Sequence, residues 1–175
     1  MIRYTFPVSQ RNMRFWLTTP TSFKATMDEY SLQMHKVCMT LFKLTGANLG
    51  VDPDKLCSIY QDGIQGIRMN YYPPCQQADK VIGLTLHSDA TGLTLLVQVN
   101  DVQGLQIKKS HTWVPIKAIP GAIIINIGDI MESNGEYRSI EHRAVVDFHK
   151  ERLPKEKKMP RIHQQLLQKL QTLSM

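Results

Sequence analysis

The sequence predicts a mainly β protein, a double-sheet jelly roll (double-stranded β-helix) with helices packed outside it. Helical periodicity is confined to the first third of the chain. From Gly63 onward apolar side chains alternate with period two, and seven short extended runs follow one another with turn signals, not helices, between them. Closely spaced strands without intervening helices argue against a βαβ arrangement and for an antiparallel sandwich or barrel. A length of 175 residues suffices for one domain with a real core and is too short for two comfortable ones. Within it we expect a helical N-terminal segment over 1–62, the jelly-roll core over 63–152 and a basic tail over 153–175.

The elements follow in order. From Ser22 to about Leu49, Phe23, Met27, Tyr30, Met34, Val37, Leu41 and Leu44 recur at helical spacing, and Thr21 or Ser22 stands where an N-cap belongs. Gly46 and Gly50 loosen its end. Asp52-Pro53 reads as an N-cap followed by proline at the first position of a short helix through about Tyr60. In IQGIRMNYY, Ile67, Met69 and Tyr71 point one way and Arg68, Asn70 and Tyr72 the other. The runs VIGLTLH, LTLLVQV, LQIK, TWVPI, AIIIN and RSIEHRAVVDF come next, punctuated by NDVQG, IPG and SNGE. After Arg152 the pattern breaks. Pro154 and Pro160 oppose a central strand, and Ile162, Leu166, Leu167, Leu170 and Leu173 predict a short amphipathic helix.

The net charge of +6 raises the question of nucleic acid. From Lys150 onward the chain holds seven Lys and Arg against two Glu, so this tail supplies five of the six charges and the body is nearly neutral. A basic tail of this kind reads as a solvated segment, so no nucleic-acid partner is expected. No apolar run is long enough to span a bilayer, and no membrane association is expected. The N-terminus lacks a sustained apolar stretch after its basic start and does not read as a secretory signal. Cys38, Cys57 and Cys75 are odd in number and widely spaced, which fits reduced thiols in a cytoplasmic protein.

The segment GLTLHSDATGLTLL seats His87 and Asp89 between two runs that read as buried strands. A buried charge without a partner is strongly unfavourable, so something must pair with them. Residues two apart on an extended segment share a face, so both can reach one point at the strand's end. His142 lies in another strand-like run. Two imidazoles and one carboxylate form a facial triad suited to a ferrous ion, leaving the opposite positions for substrate and oxygen. An HxD triplet is also a common chance arrangement, and spacing alone leaves both readings open.

The motifs MNYYPPC, HSDATGLTLL, VQGLQI, WVPI, IIINIGDI and NGEYRSIEHRAVV occur in this order. Together, over approximately Arg11 to Arg152, they closely resemble the plant 2-oxoglutarate and Fe(II)-dependent dioxygenases, nearest the branch of codeine O-demethylase-like and norcoclaurine synthase-like enzymes. The resemblance implies that His87, Asp89 and His142 ligate iron, that Asn70 and Tyr72 form an NxY element whose tyrosine helps hold the co-substrate, and that Arg152 grips the distal carboxylate of 2-oxoglutarate. A planar guanidinium suits that task because it can give a carboxylate two parallel charge-assisted hydrogen bonds. The implied cofactors are Fe(II) and 2-oxoglutarate, with ascorbate as a reductant. The implied partners are O2 and a small plant specialised metabolite, which would undergo hydroxylation, demethylation or desaturation.

Beside these residues, Asn126, Gly128 and Asp129 are expected to shape a strand end and turn, Trp113 and Leu105 to pack, and Arg138 and Arg143 to pair at the surface. His35, His111, His149 and His163 are expected to face solvent. The chain departs from the family at both ends and, by about two residues, between Glu132 and Asn134. Where relatives read RLSIATF this chain reads RLPKEKK, so Pro154 replaces the hydroxyl partner expected two residues after Arg152. Proline has neither that donor nor a backbone N–H. The expectation is a jelly roll incomplete at its C-terminal strand, with Arg152 displaced. The competing expectation is a catalytically silent truncated isoform or fragment acting through metal or a partner chain, the latter at exposed edges or the C-terminal helix.

Overall fold

A computed structural model describes residues 2–4, 16–61, 65–131 and 136–158. The amphipathic helix expected around Ile162–Leu173, Pro160, His163 and the shortening between Glu132 and Asn134 lie outside the described residues. The chain forms two compact units, Met1–Ile67 with Met159–Met175, and Arg68–Lys158.

In the first unit, β1 (Ile2–Tyr4) pairs antiparallel with β2 (Gln65–Met69), setting Ile2 opposite Ile67. Helix α1 spans Phe23–Asn48. Ser22 occupies its N-cap position, but its side chain makes no capping bond. Met27, Ser31, Cys38, Phe42 and Gly46 form the most buried line of α1, while Leu44 is 61% exposed. That line lies to one side of the stripe the large apolar residues mark. Helix α2 (Pro53–Tyr60) begins as its sequence dictates: Asp52 accepts from the Asp54 N–H at 3.0 Å and proline takes the first turn, where its missing N–H costs nothing. Phe42 stacks on Tyr60 with ring centroids 3.9 Å apart and planes within 9°, and burial pushes the Tyr60 phenol well above its ordinary pKa. Trp16, Met27 and Ile67 form a second cluster, with Phe23 and Tyr30 packed against it. His35 does not face solvent: half-buried, it meets the Gln65 side-chain amide at 2.8 Å.

The second unit contains β3 (Ile82–His87), β4 (Leu93–Gln98), β5 (Leu105–Lys109), β6 (Thr112–Pro115), β7 (Ile123–Ile127), β8 (His142–Val145) and β9 (Pro154–Lys158). One sheet runs β3–β8–β5–β6, and β9–β4–β7 lie side by side in the other. Their pairings are antiparallel throughout. Strands distant in sequence are neighbours, as the jelly roll requires. The β5–β6 hairpin turns through Ser110 and His111, both at positive φ (47° and 68°), the mirror-image turn whose twist matches the strands it joins. His111 and His149 are exposed, as expected. Arg143 does more than pair at the surface: its guanidinium lies 4.1 Å from the Trp113 ring centroid while Nε donates to Gln106 at 2.8 Å.

The C-terminal strand, expected to be lost, is present. β9 pairs with β4 from Gln98↔Pro154 to Thr94↔Lys158. Pro154 is the first residue of the strand, a position proline tolerates, and its carbonyl accepts from the Asn70 N–H at 3.2 Å. No helix among the described residues is long and apolar enough to cross a membrane.

Candidate metal centre

β3 and β8 pair so that His87 stands directly opposite His142. Asp89, two residues past the end of β3, turns its carboxylate into the same space. The candidate ligand atoms of the three residues all lie within 4.8 Å of one another, with Asp89 and His142 buried and His87 half-buried. The imidazole centroids are 4.4 Å apart, and His142 Nε2 is 3.8 Å from Asp89 Oδ2.

Local backbone sets the chemistry of both rings. His87 Nδ1 donates to the Thr85 carbonyl at 2.8 Å, and His142 Nδ1 donates to the Ile140 carbonyl at 3.0 Å. A carbonyl only accepts, so each Nδ1 carries a proton and the neutral ring presents its lone pair at Nε2. In both cases the anchoring carbonyl is two residues upstream. With a neutral ring, the Nε2 lone pair of His142 and the Asp89 carboxylate are two electron-rich groups 3.8 Å apart and out of water, an arrangement a cation between them relieves. Two neutral imidazoles and a carboxylate fit ferrous iron and leave one face open.

The turn that follows β7 seats the Asp89 loop. Asp129 N–H donates to the Asp89 carbonyl at 2.8 Å, and Gly128 N–H to the Gly92 carbonyl at 2.9 Å. A Cβ on Gly128 would lie 1.8 Å from the Thr91 carbonyl oxygen, so only glycine lets the two backbones approach this closely. Ser88 Oγ donates to Asp129 Oδ2 at 3.0 Å, closing the loop from the side-chain direction.

Arg152 is not displaced. Its side chain is 2% exposed and lines the same cavity as Asp89 and His142. Its backbone pairs with Tyr72 in both directions, Tyr72 N–H to the Arg152 carbonyl at 3.0 Å and Arg152 N–H to the Tyr72 carbonyl at 2.9 Å. The Tyr72 ring packs on Gly83, and the Arg152 guanidinium lies 5.5 Å from its centroid. On the other side Asn100 clamps the flanking backbone, its Nδ2 donating to the Glu151 carbonyl at 2.7 Å and its Oδ1 accepting from the Leu153 N–H at 3.4 Å. Arg152 Nη2 donates to Gln98 Oε1 at 3.3 Å, and the arginine stem crosses Gly104, where a Cβ would meet Cδ at 2.7 Å. Tyr71 and Glu151, next to the paired residues, hydrogen-bond each other, and this raises the Tyr71 phenol above its ordinary pKa. Gln98 and Asn100 were not singled out from sequence. Gln98 ends β4 and Asn100 stands two residues on, and that i, i+2 spacing at the end of a buried strand was the available signal.

Of the six residues implicated by sequence, His87, Asp89 and His142 converge, Arg152 shares their cavity and Tyr72 packs beside Arg152. Asn70 is placed at the β9 edge, where its N–H bonds Pro154.

Comparison with known proteins agrees with this geometry. Residues 63–154 match the model of the 2OG-Fe(II) oxygenase superfamily. The chain is 49% identical over 152 residues to the rice (Oryza sativa subsp. japonica) 2-oxoglutarate-dependent dioxygenase 11, an alignment covering 86% of this chain and 43% of that protein. It is 50% identical over 151 residues to S-norcoclaurine synthase 1 of Coptis japonica, covering 85% and 43%. The crystal structure of JOX2 in complex with 2OG, Fe, and JA superposes with a TM-score of 0.85 at 31% identity, over 94% of this chain and 52% of that one. The chain therefore spans less than half the length of these curated relatives. A jelly roll whose paired strands bring two imidazoles and a carboxylate to one point, matched by the family model across both sheets, makes this chain a member of the 2OG-Fe(II) oxygenase superfamily.

Proposed function

We propose that the chain holds ferrous iron through His87, Asp89 and His142, holds 2-oxoglutarate with Arg152 and Tyr72, and oxidises a small plant specialised metabolite by hydroxylation, demethylation or desaturation. The observation that carries this is the convergence of the three ligand atoms within 4.8 Å in a cavity that also receives a buried arginine. When bound, ferrous iron and 2-oxoglutarate supply the activation of O2 that oxidation of an unreactive carbon needs, and ascorbate serves as an external reductant. The residues' share is positional. The cross-strand pair fixes two imidazoles with Nδ1 bonded to backbone, the turn after β7 seats the loop that delivers the carboxylate, and the Tyr72 bridge with the Asn100 clamp holds Arg152 in the cavity that Asp89 and His142 line. Relatives named S-norcoclaurine synthase 1, codeine O-demethylase and oxoglutarate-dependent flavonoid 7-O-demethylase 1 support a specialised metabolite as substrate. The thiols of Cys38, Cys57 and Cys75 support a reducing, cytoplasmic setting.

Anaerobic titration with Fe(II) and 2-oxoglutarate tests the reading. A weak visible charge-transfer band is expected in the wild-type chain and absent in His87→Ala, and succinate release on aeration should require His87. Folded wild-type protein that gives no band refutes the co-substrate site. A band without succinate from any candidate substrate favours a catalytically silent binding protein.

A further inference from the structure

Strand β7 reads Ile-Ile-Ile-Asn-Ile, and the single polar member is the one buried most deeply: Asn126 is 8% exposed whereas Ile125 is 42% exposed. An amide placed inward among isoleucines is unfavourable unless it is hydrogen-bonded. Asn126 Nδ2 donates to Asp89 Oδ2 at 3.3 Å, and its strand position, opposite Thr94, aims it into the cavity that Asp89 and His142 share.

The bond acts on a specific freedom. The backbone of the Asp89 loop is already held by the Asp129 N–H to Asp89 carbonyl and Gly128 N–H to Gly92 carbonyl bonds. The carboxylate plane is not held by these, because the terminal torsion of an aspartate is broad and two-fold, without sharp staggered wells. A donor at one carboxylate oxygen selects an orientation of that plane and occupies one of its lone pairs. It thereby limits how many lone pairs the group can give a cation.

We propose that Asn126 is a positioning residue that fixes the plane and denticity of the Asp89 carboxylate toward the metal without ligating it. The proposal rests on the metal centre described above. It makes the inward polar residue of β7 part of the outer sphere of that centre, beyond its part in a strand end.

Anaerobic Co(II), used alone as a probe for Fe(II), separates this role from a structural one. Asn126→Leu keeps the side-chain shape and removes the donor, and Asn126→Ala removes both. Loss of an outer-sphere partner of this kind lowers metal affinity by about 10- to 100-fold. We expect that loss in both variants, together with a shift of the visible Co(II) ligand-field bands and no fall in the urea midpoint of the metal-free protein matching the loss of affinity. Unchanged affinity and bands in either folded variant overturn the proposal. So does weaker binding with wild-type band positions, because looser folding alone does not move the ligand field. Failure of both variants to fold, read by circular dichroism, assigns Asn126 to the fold and likewise overturns it. A wild-type chain that binds no Co(II) refutes the metal centre itself, whereas normal wild-type binding with indifferent variants refutes Asn126 alone.

Discussion

Replacing Gly128 by alanine isolates the contact that seats Asp89. The added Cβ would lie 1.8 Å from the Thr91 carbonyl oxygen, 2.6 Å from its carbon and 2.7 Å from the Asp89 carbonyl oxygen, where ordinary contact begins at 3.4 Å. The largest deficit is thus 1.6 Å. All three atoms are backbone, so no rotamer change relieves it. The strand end and the loop must separate, straining the Gly128 N–H bond to Gly92 and the Asp129 N–H bond to Asp89. Overpacking of about 1–3 kcal/mol, joined by two lost hydrogen bonds at about 0.5–1.5 kcal/mol each, gives a destabilisation of about 2–6 kcal/mol. Metal–ligand distances tolerate only about 0.2 Å, so a shift of this size in the Asp89 loop also removes one ligand from the centre. Urea unfolding of the metal-free chain measures the first effect and Co(II) titration the second, with a fall in affinity of at least about 10-fold expected. An alanine variant within about 1 kcal/mol of wild type, with undiminished Co(II) affinity, refutes the account of how the loop is held.

Two further predictions address the rest of the chain. Phe42 is fully buried and stacked on Tyr60, so Phe42→Ala should cost about 3–5 kcal/mol by urea unfolding, and a loss under about 1 kcal/mol contradicts the described packing. The Asp147 carboxylate accepts the His149 and Lys150 N–H groups at 2.8 Å each, and these two bonds hold its pKa below the ordinary value of 3.8. Its folded pKa is depressed, so its contribution to stability is complete above the unfolded pKa and disappears as pH falls through the folded one. The stability advantage of wild type over Asp147→Asn should therefore be constant near neutrality and shrink below about pH 4. Urea midpoints of both proteins measured from pH 7 down to pH 3 check this, and an advantage that grows on acidification contradicts it.

Some of this protein was legible residue by residue. Asp52-Pro53 announced the start of α2 because capping and proline tolerance are properties of neighbouring residues. Period-two alternation placed the strands, and the i, i+2 spacing of His87 and Asp89 put both on one face. Other features were hidden for identifiable reasons. The buried line of α1 runs through Ser31, Cys38 and Gly46, whose small side chains carry little hydrophobic signal but allow close packing. Pro154 argued against a strand only because sequence does not show which residue comes first in it, and at the first position the missing N–H is not needed. Asn126 read as shaping a strand end and turn because nothing local links it to Asp89, 37 residues upstream.

The sequence by itself determined which segments are extended and which side chains can ligate, since these follow from local periodicity and residue chemistry, and the order of its motifs carried the resemblance to the family. Only the tertiary structure decided that His87 and His142 are cross-strand neighbours, that β9 completes its pairing with β4 and that Arg152 reaches the cavity of the metal ligands. The physical reason is register. Antiparallel pairing fixes which residues of distant strands face one another, and that alignment comes from packing whole sheets together, which short-range patterns do not encode.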